Sequence, residues 1–219
     1  MSPLEGCRVT VTGASGLIGR RLAAAMLQRG AEVTALSRDP RRARKRLAGV
    51  EAIAWDPLAG PAPAAALAGR DAVVHLAGEP VAQRWSEGAK RAIRDSRVVG
   101  TRNLVAGLGA SEPRPHTLIS SSAIGYYGPH GEEPLDEDAP PGGDFLADVC
   151  VEWEREAGRA AAVAPRRRSA GSGTSARRRT RARRRRRPLR RARRRCPRGR
   201  GRAGRRRSAR SGTWAGSAA

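Results

Sequence analysis

Ser122 and Tyr126 carry the chain's most suggestive chemistry. They stand four residues apart in SSSAIGYYG, directly after the apolar run His116 to Ser121, HTLISS. A serine hydroxyl and a phenol at that spacing can share one substrate oxygen and move a proton to or from it. Ser120, Ser121 and Tyr127 crowd the same stretch. The segment also fits a serine-rich strand end with two tyrosines packing in a loop, and both readings stand until something else is shown to reach the same place.

Val9 to Leu22, VTVTGASGLIGRRL, supplies that second element. Gly13, Gly16 and Gly19 are spaced G-x-x-G-x-x-G after a β-branched run. One serves a tight turn, one a close backbone approach to a phosphate, and one helix-strand packing. Helix N–H groups after Ser15 then face a pyrophosphate. Leu17, Ile18, Leu22, Met26 and Leu27 recur at helical spacing behind the loop. The pattern is that of a dinucleotide-binding strand, loop and helix. With a nicotinamide there, proton transfer by Ser122 and Tyr126 would accompany hydride transfer.

These groups need a parallel sheet to meet, because ligands in such folds bind outside the carboxyl ends of the strands. Strands are predicted at 7–12, 31–36, 50–55, 71–76 and 116–121, and helices from 17, over 62–67, from about 85 to 108 and over 143–161. The expected fold is α/β, a Rossmann-type doubly wound parallel sheet that is incomplete. Ser37-Arg38 closes the second strand where a carboxylate would bind a ribose 2′-hydroxyl or an arginine a 2′-phosphate, which favours NADP over NAD. Arg38 also fits the basic surface run Arg41 to Arg46. Asp56 suits an adenine edge or, more commonly, a turn cap. His75 has no second His or Cys at ligand spacing, so packing is expected and no metal site is predicted. Arg91, Arg94, Arg97 and Arg102 read as the solvated face of the long helix.

The net charge of +24 is unevenly spread. Residues 1 to 164 hold 20 basic and all 20 acidic residues, whereas 165 to 219 hold 24 arginines. The expected division is therefore a dinucleotide-binding domain over 1–164 and a disordered Arg-rich tail over 165–219, since that tail cannot bury enough apolar surface to offset its ordering entropy. Cys7, Cys150 and Cys196 form no paired spacing. With no secretory pattern at the N-terminus and no apolar span, a soluble, cytoplasmic protein is expected.

Taken together, TGASGLIG, SRDP, HLAGEPVAQRWSEGAKRAIRDSRVVGT, SSSAIGYYG and GGDFLADVCVEWE resemble the NAD-dependent epimerase/dehydratase-like proteins, an atypical branch of the extended short-chain dehydrogenase/reductases. The resemblance covers residues 7 to about 157. It implies a nicotinamide cofactor, NADP rather than NAD, contacted by Gly13, Ser15, Gly16, Leu17, Ile18, Gly19, Ser37, Arg38, Leu76 and Ala77, with Arg97 pointing toward it. Active members of the wider superfamily carry Tyr-x-x-x-Lys on the helix occupied here by FLADVCVEWE, which has neither residue. Ser122 and Tyr126 are then the catalytic candidates, acting on an unidentified small molecule of sugar-nucleotide type.

After about Ala164 the resemblance stops, where the family continues with a sixth strand and a substrate-binding region. Arg, Ala, Gly, Pro and Ser are what GC-rich codons spell out of register, so an altered reading frame is the preferred origin of the tail. On that reading the chain binds its cofactor but turns over weakly or not at all. The alternative is a nonenzymatic NADP-binding protein whose basic tail binds nucleic acid or other polyanions.

Overall fold

Alternating β-branched and small residues build β1 (Arg8–Thr12), β2 (Glu32–Ser37), β3 (Glu51–Ala54), β4 (Ala72–His75) and β5 (Thr117–Ser120). All pair in parallel, in the order β3-β2-β1-β4-β5. The computed structural model describes residues 3–132 and 134–163. The expected Arg-rich tail lies outside the described residues. Helices α1 (Leu17–Leu27), α2 (Pro40–Arg46), α3 (Ala64–Leu67), α4 (Glu87–Ala110), α5 (Phe145–Gly158) and α6 (Ala160–Val163) fill the connections, with a 3-10 turn at Ile124–Tyr127. Among the described residues no helix is long and apolar enough to cross a membrane.

Both faces of the sheet are covered, as the near-continuous apolar character of parallel strands requires. Val9, Val11, Val33, Ala35 and Val74 face one layer with Ala23 and Ala43, and Leu22, Met26 and Leu27 of α1 pack against it. Leu36, Val73 and Leu118 face the other, with Ala66, Leu67, Leu104, Val105 and Leu108. The strand order reverses beside β1, where the chain leaves for β2 on one side and returns as β4 on the other. That reversal opens a crevice at the carboxyl ends of β1 and β4.

Several sequence expectations shift in detail. Residues 40–46 form a helix rather than a plain basic run, because Asp39 caps it by accepting from Arg42 N at 2.9 Å and Pro40 opens its first turn. The helix expected over 62–67 begins at Ala64 after Pro63. The one expected over 143–161 starts after Asp144, which accepts from Ala147 N at 2.8 Å, and it breaks at Arg159 before α6. The arginines of α4 are not uniformly solvated. Arg94 pairs with Glu152 of α5 at 2.6 Å, and Arg102 with the fully buried Glu156 at 3.1 Å. Arg97 turns inward, 5.3 Å from the Trp153 ring centre.

His75 is wholly buried, as the packing reading expects. A threonine hydroxyl has two acceptor sites and one proton. Thr12 Oγ1 accepts from Leu76 N and Ala77 N, each at 3.2 Å, so its proton goes to His75 Nδ1 at 2.7 Å. This assigns the ring N–H to Nε2, which donates to Thr101 Oγ1 at 2.9 Å. One neutral imidazole thereby ties β1, β4 and α4. Burial lowers its pKa from 6.5 to about 4. The unfolded chain therefore takes up this proton first on acidification. The stabilisation is full above pH 6.5 and gone near pH 4, a difference of about 3 kcal/mol. Denaturant unfolding across that window should show the loss. His75→Gln, which removes the titrating ring, should flatten that part of the slope, and an unchanged slope would contradict the assignment.

Candidate functional site

The crevice is shaped by glycines that the fold cannot replace. Gly13 has φ +66°, and a Cβ there would lie 2.7 Å from the Leu76 carbonyl carbon and 2.8 Å from Ala77 N. The turn leaving β1 is thus pressed against the end of β4. At Gly19 a Cβ would sit 2.3 Å from Gly13 O, so α1 folds back directly onto the loop. Gly16 differs from both. Its nearest neighbour would be Gly13 O at 3.2 Å, which leaves one side of its backbone open.

Gly16 is also the N-cap of α1 and brings no side-chain cap, and the first turn contains no acidic residue. The first N–H groups of α1 therefore present partial positive charge without a built-in carboxylate to absorb it. Leu17 and Ile18 are 69% and 68% exposed. This corrects the apolar stripe expected for α1: only Leu22, Met26 and Leu27 of those residues reach the core. Two large apolar side chains at an uncapped helix start suit a cradle in which backbone N–H groups hold an anion and the side chains cover apolar surface. Ser15 is exposed on the same loop.

At the end of β2, Ser37 Oγ accepts from Asp39 N at 3.2 Å and donates to Asp39 O at 3.1 Å, closing a small turn. Arg38 is exposed, with no ion-pair or hydrogen-bond partner among the described residues. The nearest carboxylate in sequence, Asp39, is engaged as the cap of α2. The edge of β2 therefore presents a hydroxyl and a guanidinium rather than a free acid. Asp56 accepts from Leu58 N at 3.0 Å, which is the turn-cap role.

On the other side of the crevice, Leu76 and Ala77 are held by Thr12. Arg97 braces the chain just beyond them: its Nη1 donates to Glu79 O at 2.9 Å and to Ile93 O at 3.1 Å, and its guanidinium lies against Gly78. Arg97 thus reaches the crevice edge as a support for residues 77–80.

β5 brings the serines to the same edge, with His75 opposite Ser120 in register. Ser120 Oγ donates to Ser121 O at 3.3 Å, and Ser121 Oγ to His75 O at 3.0 Å. Ser122 alone gives its proton to a side chain, the carboxylate of Glu154 on α5. The two tyrosines divide likewise. Tyr127 is buried and donates to Asp136 O at 3.1 Å, while Tyr126 is half-buried, edge-on to Tyr127 at 5.3 Å between ring centres, and its hydroxyl makes no hydrogen bond among the described residues. Burial, reinforced by Glu137, raises the Tyr127 pKa. Burial also raises that of the Cys150 thiol, which lies by Ala123 O.

The sheet thus gathers Gly13 to Gly19, Ser37, Arg38, Leu76, Ala77 and Ser122 at one edge, with Tyr126 close by in the 3-10 turn. Sequence reasoning missed Glu154. It lies 32 residues after Ser122, and its only signal was being an acidic residue on the helix expected to carry the missing Tyr and Lys.

Comparison with known proteins places these features in context. The family model described as NAD dependent epimerase/dehydratase family matches residues 9–146. Over 147 residues the chain is 42% identical to the Epimerase family protein Mb2239 of Mycobacterium bovis, covering 67% of this chain and 46% of that protein. It is 37% identical over 156 residues to the chloroplastic Epimerase family protein SDR39U1 homolog of Arabidopsis thaliana, covering 67% and 43%. The crystal structure of the nucleoside-diphosphate sugar epimerase from Corynebacterium glutamicum is similar with a TM-score of 0.60 and 39% identity, covering 73% of this chain and 32% of that one. Human epimerase family protein SDR39U1 (isoform 2) with NADPH gives 0.57 and 31%, covering 76% and 50%. The chain spans about half the length of the curated relatives it matches.

The loop geometry carries a direct test. Gly19→Ala should destabilise the fold by about 1–3 kcal/mol, because the methyl group meets backbone rather than a movable side chain. Gly16→Ala should cost under about 1 kcal/mol, its only neighbour lying farther away. Equal losses in thermal unfolding would refute the distinction.

Proposed function

Because the chain belongs to the NAD dependent epimerase/dehydratase family, we propose that its described residues bind a nicotinamide dinucleotide along the carboxyl edge of the sheet, with the pyrophosphate at the start of α1. The observation that carries this reading is the start of α1 beside the crevice at β1 and β4: an open Gly16 backbone, an uncapped helix and exposed Leu17 and Ile18. The cofactor is NADP in preference to NAD, held at its 2′-phosphate by Ser37 and Arg38, since Asp39 is already engaged as a helix cap. A bound nicotinamide would supply hydride acceptance or donation. Ser122 and Tyr126 hold the reacting oxygen, and Arg97 keeps residues 77–80 in place beside it.

The substrate is a hydroxyl-bearing molecule of the sugar-nucleotide class, a reading supported by the nucleoside-diphosphate sugar epimerase of C. glutamicum among the similar structures. The Arg-rich continuation from residue 165 is read as translation out of register.

Two measurements bear on these points. In a fluorescence titration NADPH should bind saturably and more tightly than NADH, and Arg38→Ala should weaken NADPH roughly tenfold, the worth of a charge-assisted phosphate contact, while leaving NADH nearly unchanged. Tighter NADH binding, or an indifferent Arg38→Ala, would overturn the cofactor preference. Nucleotide sequencing across codons 155 to 170 should reveal a frame that restores an apolar strand after α6. If all three frames lack one, the Arg-rich tail is the native continuation.

A further inference from the structure

The α5 face toward residues 122–125 shows what replaces the absent Tyr-x-x-x-Lys pair. Three residues one turn apart meet that segment. Leu146 lies against Gly125, Cys150 against Gly125 and Ala123 O, and Glu154 accepts the Ser122 hydroxyl. Leu146 and Cys150 have the four-residue spacing of such a pair, yet one is aliphatic and the other a thiol that burial holds protonated. Glu154, one turn further on, is the residue of the three whose carboxyl group contacts Ser122.

We propose that Ser122 and Glu154 act as one proton-accepting unit and commit this site to a substrate hydroxyl rather than a carbonyl. The inference rests on the cofactor reading above and goes beyond it in naming the proton acceptor and the oxidation state of the substrate. Its basis is hydrogen-bond arithmetic. A serine has a single proton, and Ser122 gives it to Glu154, so toward the crevice Ser122 Oγ can only accept. An alcohol O–H satisfies it, and a carbonyl oxygen meets another lone pair. Ser120 and Ser121 donate instead to backbone carbonyls, which cannot take a proton onward as a carboxylate can.

In the forward step the substrate O–H bond breaks toward Ser122 Oγ and the Ser122 O–H bond toward Glu154. A bound oxidised nicotinamide would accept the electron pair of the adjacent C–H bond as hydride, so that the alcohol is left as a carbonyl and Glu154 protonated. Among the described residues no cation pairs with Glu154: Arg94 and Arg102 of α4 are paired with Glu152 and Glu156, and Arg97 is bonded to Glu79 O and Ile93 O.

The test is ligand-observed saturation-transfer NMR on the full chain with NADP+ in excess, using cyclohexanol and cyclohexanone as paired probes. Wild type should favour the alcohol by roughly tenfold, the worth of a hydrogen bond made rather than lone pairs opposed. Glu154→Leu, which removes the acceptor and so frees the Ser122 proton, should reverse or erase that preference, and Ser122→Ala should erase it. A purely structural role for Glu154 would weaken both probes together and leave their ratio unmoved. An unmoved ratio, equal binding by wild type, or contact by neither probe overturns the proposal. Failure of the cofactor reading is separately visible as an absence of saturable NADPH binding in the fluorescence titration.

Discussion

Everything at the candidate site hangs on the contact between the loop leaving β1 and the end of β4. Gly13 has no room for a Cβ against Leu76 and Ala77, and the hydroxyl of Thr12 takes both of their N–H groups. Parallel strands end with unpaired backbone groups, and a buried donor left without a partner costs about 1–3 kcal/mol. The Thr12 hydroxyl satisfies Ala77 N and shares Leu76 N with its own main-chain carbonyl at 3.3 Å. Doing so uses both its lone pairs, which sends its proton to His75 and fixes that ring's tautomer. The anchoring of α4 through Thr101 follows from that one saturated hydroxyl, and burial keeps the ring neutral.

This arrangement explains why the cofactor loop was legible in the sequence and the proton chemistry only half so. A glycine trio records local steric demands: Gly13 and Gly19 are required by backbone atoms a few ångströms away. The strands were equally legible, because parallel pairing buries both faces and leaves apolar runs. The α2 helix was obscured by its basic composition, although Asp39-Pro40 marks its start in physical terms. Leu17 and Ile18 misled for the opposite reason. Helical periodicity places them on an apolar stripe, but at the first turn of α1 that stripe has already left the core and is exposed.

Glu154 was beyond such reading. Its contact with Ser122 comes from α5 packing against α4 and the 3-10 turn that follows β5, and nothing in local sequence states which of the helix's acidic residues faces Ser122. Three nearby carboxylates illustrate the point. Glu152 answers Arg94, Glu156 is buried between Arg102 and Arg159, and Glu154 receives a serine hydroxyl. Composition treats these residues alike, and only the rotation of the helix against α4 and the 3-10 turn separates an ion pair from a group at the reacting edge.

The same packing bears on how the proposed site would work without tyrosine and lysine on its helix. In a Tyr-x-x-x-Lys site the phenol is a donor in one direction and, once deprotonated with help from the lysine charge, an acceptor in the other. A serine bound to a carboxylate is polarised the opposite way, since anionic Glu154 draws the proton from the crevice and adds negative rather than positive charge. Tyr126 is then the free donor of the local set, its hydroxyl unengaged by the described residues while that of Tyr127 is held by Asp136 O. A site with an acceptor at Ser122 and a donor at Tyr126 can hold a hydroxyl by both its proton and its lone pairs, and a hydroxyl offers both where a carbonyl offers only lone pairs.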